Sequence, residues 1–175
     1  KIAIPPQDIR NPLAKVISDA GKKQFHVAET EKYAHITYFL NGGTENPFPA
    51  EDRKIVPSPK VDSYVKTPEM SSYQITDEAI KAIGDKKYEF IAVNFAATDI
   101  ISHTGNFTAA VQAIGIVDEC IGKIWETLSK YSGSMVITAD HGNCEEMINL
   151  ATGKIDTEHS TNPVPCWIAS PSNKL

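Results

Sequence analysis

Asp140 and His141 stand side by side where the apolar run 135–139 ends, within Thr138-Ala139-Asp140-His141-Gly142-Asn143. A carboxylate next to an imidazole is a pair of metal-ligating groups, and partners of the same kind lie elsewhere in the chain: Asp99 with His103, and His159. Hard oxygen and borderline nitrogen donors of this sort suit a divalent ion, held at about 2.0–2.2 Å for zinc-like metals. Asp99 and His103 are four residues apart, so one turn of helix brings both to the same face. His159 arrives from a separate loop pinned by Ser160-Thr161-Asn162-Pro163-Val164-Pro165. Asp99, His103 and His159 would form one three-ligand site with open positions, and Asp140 and His141 would be half of a second. Lys32 also follows a strand end and can present an ammonium to a phosphate or to a metal-bound nucleophile. Taken singly, each of these residues is more often a cap, a core group or a solvated surface group. Their joint placement is what points to metal chemistry.

The elements that must position them follow from periodicity. The run 135–139 is short and rich in β-branched residues, which predicts a buried strand of a parallel sheet, and Gly142-Asn143 breaks it at its carboxyl end. Open α/β sheets place their sites at such ends. Strands are also predicted at 24–28, 88–95 and 165–169. Helices are predicted at 13–19, at 33–40 (stopped by Asn41-Gly42-Gly43), and at 76–83 with a Thr76-Asp77-Glu78 cap. The longest helix spans about 107–130, with Val111, Ile114, Val117, Ile121, Ile124 and Leu128 as one apolar stripe. Residues 44–68 carry five prolines and many charges and read as an ordered, extended surface excursion. A hairpin-like loop around Thr152-Gly153-Lys154 leads to His159. Strands alternating with helices are the grammar of an α/β fold with a mostly parallel sheet. The proline-rich residues 1–12 read as a linker from an upstream domain, and 13–175 as the metal-binding portion. His26, inside a strand, and His35, inside a helix, read as structural.

Composition narrows the function. With 175 residues, 41% hydrophobic and 22% charged, the chain can bury an ordinary core. A net charge of −5 argues against a nucleic-acid or anionic-membrane surface. Cys120, Cys144 and Cys166 are odd in number and lack a CxxC spacing, which fits a reducing cytoplasm better than a disulfide framework or a thiolate zinc site. No segment reads as a signal peptide or a membrane span. Arg10 and Arg53 are the only arginines, few for a chain that would grip a phosphorylated substrate by itself.

Several stretches together resemble the cofactor-independent (2,3-bisphosphoglycerate-independent) phosphoglycerate mutases of the alkaline phosphatase superfamily. They are Glu29-Thr30-Glu31-Lys32-Tyr33-Ala34-His35, Phe39-Leu40-Asn41-Gly42-Gly43, Glu51-Asp52-Arg53, Pro57-Ser58-Pro59-Lys60-Val61 and Pro68-Glu69-Met70-Ser71. Further along come Asn94-Phe95, Asp99, His103-Thr104-Gly105-Asn106, Val117-Asp118-Glu119-Cys120, the Asp140-His141 hexapeptide and His159-Ser160-Thr161-Asn162-Pro163-Val164-Pro165. They run in family order over nearly the whole chain.

The resemblance implies an alkaline phosphatase-like core, here a partial phosphatase domain, in an isomerase of glycolysis and gluconeogenesis. Such enzymes interconvert 3-phosphoglycerate and 2-phosphoglycerate through a phosphoserine at a two-metal site. It implies two divalent ions, Mn²⁺ first, with Co²⁺, Mg²⁺ or Zn²⁺ as the other candidates. Asp99, His103 and His159 resemble the ligands of one ion, Asp140 and His141 resemble ligands of the other, and Lys32 resembles the lysine near substrate phosphate and nucleophile. No residue of this chain matches the family's nucleophilic serine. An N-terminal segment and a phosphotransferase domain of the same protein are therefore the implied partners, with a small phosphoglycerate as substrate. The chain alone is expected to be inactive, and the whole protein to be cytoplasmic and monomeric. Ala97, Thr98 and Ser102 stand where the family usually has a proline before the aspartate and a glycine before the histidine. The competing readings are another metalloenzyme of the superfamily, a phosphopentomutase or a phosphatase, or a metal-binding domain without catalysis.

Overall fold

The computed structural model describes residues 9–171, so most of the expected linker at 1–12 lies outside the described residues. Pro12 immediately precedes α1 (Leu13–Asp19), where its missing N–H costs nothing. The chain then enters β1 (Gln24–Glu29), whose six residues are all buried. β1 is the middle strand of a parallel three-stranded sheet, with β2 (Glu51–Val56) on one side and β3 (Phe90–Val93) on the other. A strand covered on both faces cannot alternate apolar and polar residues with solvent, so its polar members need internal partners. Gln24 donates from Nε2 to the Ala14 carbonyl at 2.7 Å. The His26 ring, fully buried, lies 2.9 Å from the Ile36 carbonyl and 3.1 Å from Gln24 Oε1. His26 is structural, as expected.

The stretch 44–68, expected as an extended surface excursion, contains strand β2. This is an edge strand whose Asp52, Arg53, Lys54 and Ile55 face outward to varying degrees while Glu51 and Val56 are buried. Charge on an edge strand is ordinary protection against unwanted pairing, and it masks the strand pattern. The helix expected at 33–40 is present over 33–39, wound as a π-helix at His35–Phe39, and a 3₁₀ turn at Thr30–Lys32 leads into it. Gly42 and Gly43, at φ +67° and +88°, then reverse the chain as glycines can.

α2 (Ser72–Gly84) starts before the predicted Thr76 cap. The Thr76 hydroxyl bonds back to the Ser72 carbonyl at 2.8 Å, a mid-helix arrangement. α3 (Ala97–Ser102) leads into α4 (Phe107–Ser129), capped by the Asn106 side chain accepting from Ala109 N–H at 2.9 Å. Ile124 of α4 joins Ile75, Ala79, Ala82 and Ile83 of α2 over Phe25, Val27 and Val56 of the sheet. A second cluster packs Ala109, Ala110 and Ala113 against Ala97, Ile101, Met70 and Met147. The predicted stripe is therefore only partly the buried face. Val111 and Ile114 are about half exposed, because the alanines one step round the helix make the close approach to α3.

The last pair of strands corrects the expectation for 135–139. β4 (Met135–Thr138) pairs antiparallel with β5 (Cys166–Ala169), in register Met135↔Ala169, and among the described residues this is a separate two-stranded sheet. β4 is half-buried rather than enclosed. The connection doubles back through bridges Gly142↔Ser160 and Ile148↔Ile155, the latter closing the expected hairpin around Gly153, and a chain that returns this way comes home antiparallel. The overall class stands: an α/β fold with a parallel sheet flanked by helices. Among the described residues no helix is long and apolar enough to cross a membrane.

Candidate metal centre

The carboxyl ends of β1, β3 and β4 each release a short connection, and the site is built from those connections. β1 runs into the 3₁₀ turn that carries Lys32. β3 is followed by α3, with Asp99 in its first turn and His103 just past its end. β4 is followed by Asp140 and His141, and the returning loop brings His159.

Asp99 is the hub. Its Oδ2 pairs with Lys32 Nζ at 2.7 Å, both side chains being largely buried. Its Oδ1 accepts from Asn143 Nδ2 at 2.6 Å. Three imidazole nitrogens surround the same oxygen: His103 Nε2 at 3.2 Å, His159 Nε2 at 3.3 Å and His141 Nε2 at 3.9 Å. The His103 and His159 Nε2 atoms are 3.0 Å apart, and the His141 and His159 rings stack with centroids 3.7 Å apart. Ligand atoms of Asp99, His141 and His159 all lie within 4.8 Å of one another. Asp140 Oδ1 is 3.6 Å from His141 Nε2, on the more exposed side.

The donor set fits a cation. His103 Nδ1 lies 2.7 Å from the Thr157 carbonyl, so the proton sits on Nδ1 and the Nε2 lone pair faces His159 and Asp99. Orienting an imidazole through its far nitrogen in this way is what metal-binding histidines require. With no ion bound, His159 Nε2–H can donate to that lone pair across 3.0 Å; the other tautomer of His159 would turn a second lone pair to the same space, where an ion could be held. Oxygen and nitrogen donors without a thiolate suit a divalent ion better than a soft one. The nearest thiol, Cys144, is committed elsewhere: Sγ donates to the Thr98 carbonyl at 3.0 Å and touches Ser102 Oγ at 2.6 Å. Burial pushes its pKa up, so it stays a thiol. Ser102, the residue before His103, also bonds the Thr98 carbonyl at 2.7 Å, so it knits this loop together.

Among the ligand candidates, Asp99 is the group whose electrostatics are most clearly altered. Burial pushes its carboxyl pKa up, but hydrogen bonds from Lys32 and Asn143, with the charge of Lys32, outweigh that and hold it at about 2. A carboxylate ionised so firmly is ready to bind a cation. His35, expected to be structural, is exposed beside Phe39 and senses the same charges. Burial and then Lys32 lower its pKa, against Asp140 and Asp99.

All five ligand candidates and Lys32 thus come together. The two expected groups adjoin, since His141 Nε2 lies 3.9 Å from Asp99 Oδ1 and 3.6 Å from Asp140 Oδ1. Three further groups support the centre. Asn143 lay inside the hexapeptide and is 5% exposed, the burial of an amide with a task. Glu145 and the Thr157 carbonyl carry no sequence signal, because their function depends on which loop they meet.

The model of the Metalloenzyme superfamily matches residues 2–175. The 2,3-bisphosphoglycerate-independent phosphoglycerate mutase of Thermomicrobium roseum is 51% identical over 172 residues, which cover 98% of this chain and 33% of that protein. A mutase of the same description (number 2) from Methanosarcina barkeri is 54% identical over 165 residues, covering 94% of this chain and 31% of its own. Crystal structures of Leishmania mexicana phosphoglycerate mutase at low cobalt concentration include a chain similar to this one with a TM-score of 0.85 at 30% identity, over 90% of this chain and 31% of that one. The chain spans about a third of the length of the curated relatives it matches. A match over nearly every residue, on a fold whose strand ends gather three histidines around a buried aspartate, leads to one assignment: this chain belongs to the Metalloenzyme superfamily.

Proposed function

We propose that this chain is the metal-holding C-terminal part of a 2,3-bisphosphoglycerate-independent phosphoglycerate mutase, an isomerase that interconverts 3-phosphoglycerate and 2-phosphoglycerate through a phosphoserine. The observation that carries the proposal is the convergence of the His103, His159 and His141 Nε2 atoms on Asp99 Oδ1, with Lys32 on the opposite oxygen. The names of the relatives at about half identity give the same reading its substrate.

In this reading Asp99, His103 and His159 hold one divalent ion and Asp140 with His141 contributes to a second, Mn²⁺ being the first choice. Two such ions, when bound, lower the pKa of an attacking hydroxyl and spread the charge of a phosphoryl group in transfer. The chain's own residues set the stage. The Thr157 carbonyl fixes the tautomer of His103, and Asn143 fixes the rotamer of Asp99. Lys32, held beside the hub by its ion pair, offers its remaining ammonium protons to phosphate oxygens. The nucleophilic serine and the arginines that grip the substrate belong to parts of the protein outside these residues. The whole enzyme works in the cytoplasm as a monomer, in glycolysis and gluconeogenesis.

The test compares this chain and the full-length gene product on 3-phosphoglycerate, each before and after chelation and dialysis. Turnover by the full-length protein alone, lost on chelation and restored by Mn²⁺ or Co²⁺, is expected. Turnover by the 175-residue chain would overturn the assignment of the nucleophile, and a chelation-resistant rate would overturn the metal. A full-length protein that ignores phosphoglycerates but acts on phosphopentoses or simple phosphate esters would overturn the substrate.

A further inference from the structure

Two loops deliver His141 and His159, and their polar groups converge on a carboxylate that is not itself among the ligand candidates. Glu145, on the 3₁₀ turn Cys144–Glu146, accepts the Asn143 backbone N–H at 2.8 Å through Oε2. Through Oε1 it accepts the Ser160 hydroxyl and, at 3.2 Å, Asn162 Nδ2. Beside this contact the Ser160 N–H donates to the Gly142 carbonyl at 2.9 Å. The joint is closely fitted, since a Cβ on Gly142 would collide with both Ser160 Oγ and the Glu145 carboxylate. On its far side the same joint holds the centre: Asn143 donates to Asp99, and the residue before Ser160 is His159, whose ring stacks on His141. Among the described residues, none of the hydrogen bonds of Glu145 goes to one of the five ligand side chains.

We propose that Glu145 is the positioning residue of the metal centre. By fastening the His141 loop to the His159 loop it sets the separation of those two imidazoles and aims Asn143 at Asp99, and so sets metal affinity and geometry. The inference rests on the metal reading above. Residues that orient ligands from outside the coordination sphere are typically worth about 10- to 100-fold in metal affinity. Glu145 also holds more than a cap would, because one carboxylate ties together groups from both loops.

The experiment is a Co²⁺ titration of the metal-free chain, followed by calorimetry and by the visible spectrum of the bound ion, for wild type, Glu145→Gln, Gly142→Ala and Glu146→Gln. Thermal unfolding without metal is measured in parallel. Glu145→Gln and Gly142→Ala, which disturb the joint from opposite sides, are expected to raise Kd by about 10-fold or more and to change the visible spectrum. Glu146→Gln, whose side chain touches only Asn162 of this group, is expected to bind as wild type does. Unchanged Kd and spectrum in both joint variants would overturn the role of Glu145. So would a lower bound fraction that only tracks lost folding while its spectrum stays that of wild type. Failure of the wild-type chain to take up Co²⁺ would overturn the metal reading itself.

Discussion

Lys32→Met removes one ammonium and keeps most of its stem, so it isolates the Lys32–Asp99 pair. The two groups are 2.7 Å apart, with side chains 9% and 13% exposed. At an effective dielectric of about 20 the gross Coulomb attraction at that distance is about 6 kcal/mol, most of it offset by desolvation of both charges. Breaking a buried pair from one side usually costs about 3–5 kcal/mol, because the other charge is stranded. Asp99 would keep its Asn143 hydrogen bond, which places the expected loss lower, at about 2–3 kcal/mol at pH 7. Urea unfolding of the chain in chelator, followed by circular dichroism, measures it.

The pH dependence supplies a second check. In wild type the Asp99 pKa is depressed to about 2 from its ordinary 3.8, so its stabilisation is present above pH 4 and is lost as pH falls through 2. In the variant, burial is opposed by less and the pKa moves up. The stability gap between the two proteins should therefore narrow on acidification from about pH 5 to about pH 2. A loss under about 0.5 kcal/mol at pH 7, or a gap that does not narrow, would refute the pairing argument.

Other perturbations test neighbouring links. Asp99→Asn keeps the side chain's shape but removes the hub charge. It should weaken Co²⁺ or Mn²⁺ binding more than about 100-fold by calorimetry and cost about 2–3 kcal/mol without metal, since Lys32 is then stranded; retained affinity would remove Asp99 from the centre. Ile75→Ala, at a fully buried position between α2 and the sheet, should cost about 2–5 kcal/mol in urea unfolding. Val111→Thr, on the exposed edge of α4, should stay within about 0.5 kcal/mol in the same measurement, and a core-sized loss would restore the stripe first expected there. With a thiol reagent near pH 8, the exposed Cys166 should react first and the buried Cys120, its pKa raised by burial, last.

The ligand candidates are legible because their chemistry is local. Asp140-His141 is contiguous, Asp99 and His103 share a helical spacing, and His159 sits in a loop stiffened by prolines. The helix at 107–129 and the strand at 24–29 are equally plain, the first from its long apolar periodicity and the second from Phe25, Val27 and Ala28 in a short stretch between turn residues. β2 was not, because an edge strand wears charged residues on the side that would otherwise reveal it. The turn of β4 toward β5 was hidden for another reason. A run of four apolar residues says strand, but the direction of its neighbour is decided by where the intervening loop returns. The buried face of α4 likewise depended on which residues were small enough to let α3 approach, and hydrophobicity alone ranks valine above alanine there.

Residue types and short spacings were enough to determine that this protein carries oxygen and nitrogen donors at strand ends of an α/β fold, together with a lysine fit to meet an anion. Only the tertiary structure decided that Lys32 pairs with Asp99, that His141 stands between Asp99 and Asp140, and that Glu145 joins the two histidine loops. Ligand chemistry belongs to single side chains and survives in the one-dimensional order. Pairing, tautomer and loop separation are distances between residues far apart in the chain, and those distances exist only once the backbone has closed upon itself.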